Sequence, residues 1–166
     1  MNLVTELTIE RAAGCLAGVA IGDAMGMPCE FLTKEQIAQR YGRINGFVAP
    51  AADHIHSKLR PGQVTDDTEQ NVYLLEAYAA GGSVDVYETA QRLLDWAKTT
   101  GAEEKRYIGP SSLKALKAIQ EGGDPYQAGL SGTTCGGIMR TPCAVLFKPH
   151  QTEDELEENI LRCLIP

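Results

Sequence analysis

Helix start and stop signals recur along the whole of this chain, while the period-two alternation of a half-buried strand is nearly absent. That pattern restricts the fold to packed helices. Residues from about 8 to 22 form a small, apolar helix in which Gly14, Gly18 and Gly22 repeat every four residues. The spacing puts glycines on one face and predicts close approach of another backbone. Thr33 with Gln36 is a capping box that opens a short helix to about Tyr41. Gly42, Gly46, Pro50, Pro61 and Gly62 mark a long loop over 42–64.

A helix starts near Asp66, shows Val72, Leu75 and Ala79 on an apolar face, and ends at Gly81–Gly82. Another runs from about Val86 to Thr99, with Val86, Ala90, Leu93, Leu94 and Ala97 inward. A fifth begins at Pro110, a favourable first helical residue, and stops at Gly122–Gly123. Gly129 to Gly137 is a loop, and Pro142 to Phe147 a short helix. Thr152 with Glu155 is a second capping box, opening a helix that carries Leu156, Ile160, Leu161 and Leu164.

The 166 residues suit one domain, 1–166, with no linker or internal repeat. Fifteen basic against 22 acidic residues leave a net charge of −7. With no basic run, that balance argues against a nucleic-acid partner and is compatible with divalent cations. The apolar stretch Ala12–Gly22 stops at Asp23, too short for a bilayer, so no membrane role is expected. Glu6 and Glu10 spoil a signal-peptide reading. Five cysteines without a CxxC pair predict reduced thiols in the cytoplasm.

Three segments carry candidate chemistry. Thr65-Asp66-Asp67-Thr68-Glu69 can be a helix cap with acidic residues favouring the dipole. The functional alternative to that plainer reading is a set of hard oxygen donors for Mg²⁺ or Mn²⁺. Gly22 to Glu30 can be a helix end with turn residues, or a turn that presents the Glu30 carboxylate. Gly132 to Arg140 is a glycine-rich loop before a helix, able to bring backbone N–H groups against phosphates. It lacks a Walker lysine and a GxGxxG after a strand. His54 and His56, two apart in a loop, read as members of an exposed polar loop rather than as metal ligands.

In order along the chain, GCLAGVAIGDAMGMPCEF, VTDDTEQ, YIGPSS and TTCGGIMRTPCAV resemble the ADP-ribosylglycohydrolase family. The resemblance covers essentially the whole chain. It implies an all-α, orthogonal multi-helix bundle that binds two Mg²⁺ or Mn²⁺ ions. It also implies hydrolysis of the glycosidic bond joining ADP-ribose to an acceptor. Carried over by position, Thr65, Asp66 and Asp67 match the first metal-ligand cluster. Glu30 matches the acidic residue after the first Gly-rich turn, a catalytic group that would orient or deprotonate water, or position the leaving group. Gly109, Ser111, Cys135, Gly136, Gly137, Met139 and Arg140 match substrate-cleft segments. An ADP-ribosylated protein or a small ADP-ribose derivative is the implied substrate.

Two departures qualify the resemblance. Cys135-Gly136 stands where the family has Asn-Gly, removing one polar contact to substrate. The family's later Asp-x-Asp-Thr cluster has no counterpart, since no Asp-x-Asp occurs in the chain. The chain therefore reads as a truncated, N-terminal half of that fold, holding at most one ion weakly. A complementing C-terminal chain or a homo-oligomer is the expected partner. An inactive nucleotide-binding remnant and a crystallin-like structural protein are the rival readings.

Overall fold

The computed structural model describes residues 8–105, 108–134 and 136–166, and every regular element among them is helical. The all-α expectation holds. The longer helices are α1 (Ile9–Gly26), α2 (Lys34–Tyr41), α3 (Asp66–Gly81), α4 (Val86–Thr100), α6 (Pro110–Gln120) and α9 (Glu153–Leu164). Between them lie the short helices α5 (Ala102–Lys105), α7 (Pro125–Ala128) and α8 (Thr141–Leu146). Neither α5 nor α7 has enough apolar periodicity to be visible in the sequence.

Local signals set most of the boundaries. Both capping boxes form, Thr33 with Gln36 and Thr152 with Glu155. The Asp85 side chain accepts from the Glu88 N–H and starts α4. Gly82 closes α3 in the left-handed region, where a Cβ would be strained. Pro110 occupies the first turn of α6 as its fixed φ and missing donor favour.

Helix α3 is the centre of the bundle and packs against α4, α8 and α1. The core joins Leu74, Ala77 and Tyr78 of α3 to Leu93 and Trp96 of α4, Leu116 of α6, Cys143 and Ala144 of α8, and Cys163 of α9. Polar tips inside it are satisfied. The Tyr78 hydroxyl pairs with Thr89 Oγ1 at 2.7 Å, and Trp96 Nε1 donates to Glu69 at 2.9 Å.

The sequence reading of α3 and α1 is corrected. The buried side of α3 is Gln70, Asn71, Leu74, Ala77 and Tyr78, whereas Val72 and Ala79 face solvent. The expected face skipped the true one because two of its members are polar and need specific partners to be buried. Helix α1 does not stop at Gly22 but continues to Gly26, followed by a 3₁₀ turn over Met27–Cys29. Among the described residues its glycine stripe meets no close neighbour: a Cβ at Gly14, Gly18 or Gly22 would have nothing within 4 Å.

Ile9–Cys29 is consequently 21 residues with a mean hydropathy of 1.3, long and apolar enough to cross a bilayer by length and composition. The expectation of a stretch too short to span is corrected on length. Asp23, however, binds Thr65 just before α3 and Thr68 within it, and Ala24 and Met27 are buried. Those contacts fasten the C-terminal end of α1 to the bundle.

Candidate functional site

The site is organised around the start of α3. Thr65 precedes the helix in an extended conformation, yet its hydroxyl does not cap α3. It donates to Asp23 Oδ1 at 2.7 Å, and its backbone N–H donates to Asp23 Oδ2 at 2.8 Å. The Thr68 N–H and hydroxyl also donate to Asp23 Oδ2, at 3.2 and 2.6 Å. The cap of α3 is thus a carboxylate delivered by α1, 42 residues earlier. Donation to Asp23 leaves the lone pairs of Thr65 Oγ1 able to face a cation.

With the capping role taken by Asp23, Asp66 and Asp67 stand beside it in the first turn of α3. Both are partly buried. The Asp66 carboxyl is pushed up to about 8, by burial first and then by the charges of Asp67, Glu30 and Asp23. Asp67 is raised by burial and by Asp23 and Glu30. Glu30, placed by the turn after α1, is therefore close enough to Asp66 and Asp67 for its charge to be felt by both.

This crowding of acids is costly without a positive charge among them. Thr65, Asp66 and Asp67 offer hard oxygen donors, which fit Mg²⁺ or Mn²⁺. Among the described residues, no three His, Cys, Asp or Glu side chains close into a cation cage by themselves. What the chain presents is one side of a coordination sphere.

The loop over 42–64 contributes to the same place, contrary to the exposed reading of its histidines. His54 is 7% and His56 2% exposed. His56 Nε2 lies 2.9 Å from Glu30 Oε2, and His54 Nε2 lies 2.8 Å from the Glu30 carbonyl oxygen. Spacing could not reveal them, because their partner is 24 and 26 residues away. Phe31, next to Glu30, has φ of 60°, an unusual value for an aromatic residue.

The glycine-rich segment reaches α3 through Asn71, which is fully buried. Asn71 Nδ2 donates to the carbonyls of Asp67 and Met139, both at 2.7 Å. Its Oδ1 accepts from the Cys143 N–H at 3.0 Å. One side chain therefore ties the 3₁₀ turn Ile138–Arg140 to the acidic helix start. Ser111, Gly136, Gly137 and Arg140 line a hollow of about 110 Å³ beside that turn. Ser111 Oγ accepts from the Thr133 N–H at 3.3 Å, and Gly109 caps α6 immediately before it.

Arg140 stands in the wall of the hollow but is itself only 3% exposed. Its Nε donates to the Cys163 carbonyl at 3.0 Å, and its Nη2 to the Pro166 carbonyl. The guanidinium braces α9. Cys135 lies outside the described residues.

Comparison with known proteins places this arrangement. The sequence model of the ADP-ribosylglycohydrolase family matches residues 5–164. An uncharacterised protein of Archaeoglobus fulgidus is 40% identical over 132 residues, covering 79% of this chain and 41% of its own length. The ADP-ribosyl-dinitrogen reductase glycohydrolase of Rhodospirillum rubrum is 32% identical, covering 88% of this chain and 48% of its own. The ADP-ribosylarginine hydrolase Tri1 of Pseudomonas putida is 27% identical, covering 96% and 42%. The chain spans just under half the length of these curated relatives. A match that takes in α1, the Glu30 turn, the acidic start of α3 and the glycine-rich segment alike shows that the chain belongs to the ADP-ribosylglycohydrolase family.

Proposed function

We propose that this chain forms one wall of a hydrolase site that cleaves the N-glycosidic bond of an ADP-ribosylated substrate. The observation that carries the reading is the group Asp23, Glu30, Asp66 and Asp67, in which burial and mutual repulsion push Asp66 up to about 8. A helix start needs one acidic cap, and Asp23 already provides it. Backbone hydrogen bonds at Asp66 and Asp67 offset only part of the cost of burial and repulsion.

Thr65, Asp66 and Asp67 would hold Mg²⁺ or Mn²⁺. When bound, the ion supplies Lewis-acid polarisation of a substrate hydroxyl or water. Glu30 orients the attacking water and takes its proton at Oε1, since Oε2 is engaged by His56. The negative field around α3 favours the positive charge that develops on the ribose as the glycosidic bond breaks. Gly109, Ser111, Gly136, Gly137 and Met139 line the side toward which the ADP-ribose phosphates and second ribose extend, with Arg140 holding that wall against α9. Backbone N–H groups of the glycine-rich segment suit phosphate oxygens.

The names of the relatives point to ADP-ribosylarginine or an ADP-ribosylated protein as substrate. Ligands for a second ion would come from a complementing segment or from a second copy of the chain. The thiols of Cys143 and Cys163, 3.9 Å apart in the core, suit a reducing compartment such as the cytoplasm.

Release of ADP-ribose from ADP-ribosylarginine, followed by chromatography with and without Mn²⁺, tests the reading. Turnover that is lost in Glu30→Gln and Asp66→Asn supports it. Binding of ADP-ribose without turnover would favour an inactive binding protein on the same scaffold. Neither binding nor turnover would leave only a structural role.

A further inference from the structure

Glu30 is held from two directions by one short stretch of loop. His54 Nε2 lies 2.8 Å from the Glu30 carbonyl oxygen. A carbonyl only accepts, so His54 carries its proton on Nε2 and its Nδ1 is bare. That bare nitrogen accepts the His56 N–H at 3.1 Å, which fixes the second histidine against the first. His56 then donates from Nε2 to Glu30 Oε2 at 2.9 Å. The chain of donors and acceptors is consistent throughout with the Nε2–H form of both rings. His56 Nδ1 is buried and meets no hydrogen-bond partner among the described residues.

The loop that carries the two histidines is anchored in turn. Arg40 makes a two-point contact with Asp53, at 2.7 and 2.9 Å. The Tyr41 hydroxyl accepts from the Ala51 N–H and donates to the Pro28 carbonyl. Helix α2 thereby binds both the histidine loop and the turn that presents Glu30. The left-handed φ of Phe31, an exposed aromatic residue, lies between these restraints. Such a conformation persists only where the surroundings fix it on both sides.

We infer that His54 and His56 are positioning residues for Glu30. His54 fixes the backbone across the strained Phe31, and His56 fixes one carboxylate oxygen so that the other meets the reacting water. The second half of this inference rests on the role proposed above for Glu30; the clamp itself does not.

Two measurements on the full chain test it. The first labels the histidines with ¹⁵N and reads their ring nitrogens by long-range correlation spectra. His54 and His56 should both carry the proton on Nε2, and the His56 Nε2–H should exchange far more slowly than that of exposed His150. Glu30→Ala should abolish the slow exchange at His56, and Glu30→Gln, which keeps an acceptor oxygen, should retain it. A His56 proton on Nδ1, or exchange as fast as at His150, overturns the clamp.

The second measurement follows hydrolysis of ADP-ribosylarginine with Mn²⁺. His56→Leu should lower kcat by about 10- to 100-fold, the scale seen when a metal ligand loses its outer hydrogen-bond partner. KM should move by less than about threefold, because ground-state binding is untouched. His56→Gln places an amide N–H where Nε2 stood and should recover most of the loss. Equal losses in the two variants overturn the positioning role. A wild-type chain with no turnover counts against the proposed function instead, and the spectra still decide the clamp.

Discussion

Asp23 holds Thr65 at two points, accepting the backbone N–H on one carboxylate oxygen and the hydroxyl on the other. Thr68 uses the same carboxylate twice more. The last full turn of α1 is thus the cap of α3. The geometry explains how Thr65 can stay fully buried next to an acidic cluster, with its donors satisfied and its hydroxyl oxygen directed.

Asp23→Ala should destabilise the protein by about 2–4 kcal/mol, because hydrogen bonds to a charged acceptor are among the stronger ones and two buried Thr65 donors lose theirs. For a chain of this length that is a fall in Tm of roughly 5–12 °C. Asp23→Asn keeps one acceptor oxygen and should lose less than half as much. Thermal unfolding by circular dichroism checks both. An Asp23→Ala protein as stable as wild type would mean that water replaces the carboxylate.

The parts of this arrangement that were legible in the sequence are those fixed within a few residues. Thr33–Gln36 and Thr152–Glu155 announce their helices because each box closes over three positions. The Thr65-Asp66-Asp67 run and the Glu30 turn stood out by family pattern rather than by period. Asp23 did not, because it looked like the end of α1 when it is a turn inside it. His54 and His56 looked like loop polarity, since nothing local tells that a histidine will bond to a carboxylate 26 residues back. Asn71 was hidden by its own polarity on the buried face of α3.

Asn71→Leu is the companion test on the other side of α3. The leucine is similar in volume but leaves the Met139 carbonyl and the Cys143 N–H without their partner. Each buried unsatisfied group costs about 1–3 kcal/mol, so a loss of roughly 2–4 kcal/mol is expected. Hydrogen exchange should show the Cys143 amide, slow in wild type, becoming fast. Unchanged exchange at Cys143 would place the tie elsewhere.

Helix α1 leaves Ile9 85% and Ile21 51% exposed, along with its glycine stripe. An apolar face of that length, left in water, favours association. Sedimentation should show self-association that grows with protein concentration, and Ile21→Glu should weaken it. A monomer that persists at high concentration, with no change in the variant, would show that the face is tolerated in water.

The pH dependence carries a definite sign. The folded Asp66 carboxyl sits at about 8 and its ordinary value is 3.8. Between those limits the folded state keeps a proton that the unfolded chain releases, so stability falls as pH rises. Burial outweighs the favourable helix dipole at this position. Asp66→Asn should therefore match wild type near pH 4 and exceed it near pH 8, where metal is absent. A pKa unit is worth about 1.4 kcal/mol, and partial solvent access reduces the full shift to roughly 1–3 kcal/mol. Melting curves of the two proteins across this range, compared as differences, isolate Asp66 from the other carboxylates. A gap that closes as pH rises would reverse the sign and refute the burial argument.

Metal addition should act on the same group. Two carboxylates and a hydroxyl from one side bind Mn²⁺ weakly, so stabilisation follows RT ln(1 + [L]/Kd) near its foot. At a Mn²⁺ concentration equal to Kd that is about 0.4 kcal/mol, and at ten times Kd about 1.4 kcal/mol. The corresponding rises in Tm are roughly 1–2 °C and 3–6 °C. Because the ion must displace the Asp66 proton, the shift should be larger at pH 8 than at pH 6. Asp66→Asn should abolish the shift while leaving the protein folded. Sodium chloride at matched ionic strength controls for screening, which relieves repulsion among exposed carboxylates in both proteins alike. A Mn²⁺ shift that survives Asp66→Asn undiminished would reduce the acidic start of α3 to a costly helix terminus, with no place for an ion.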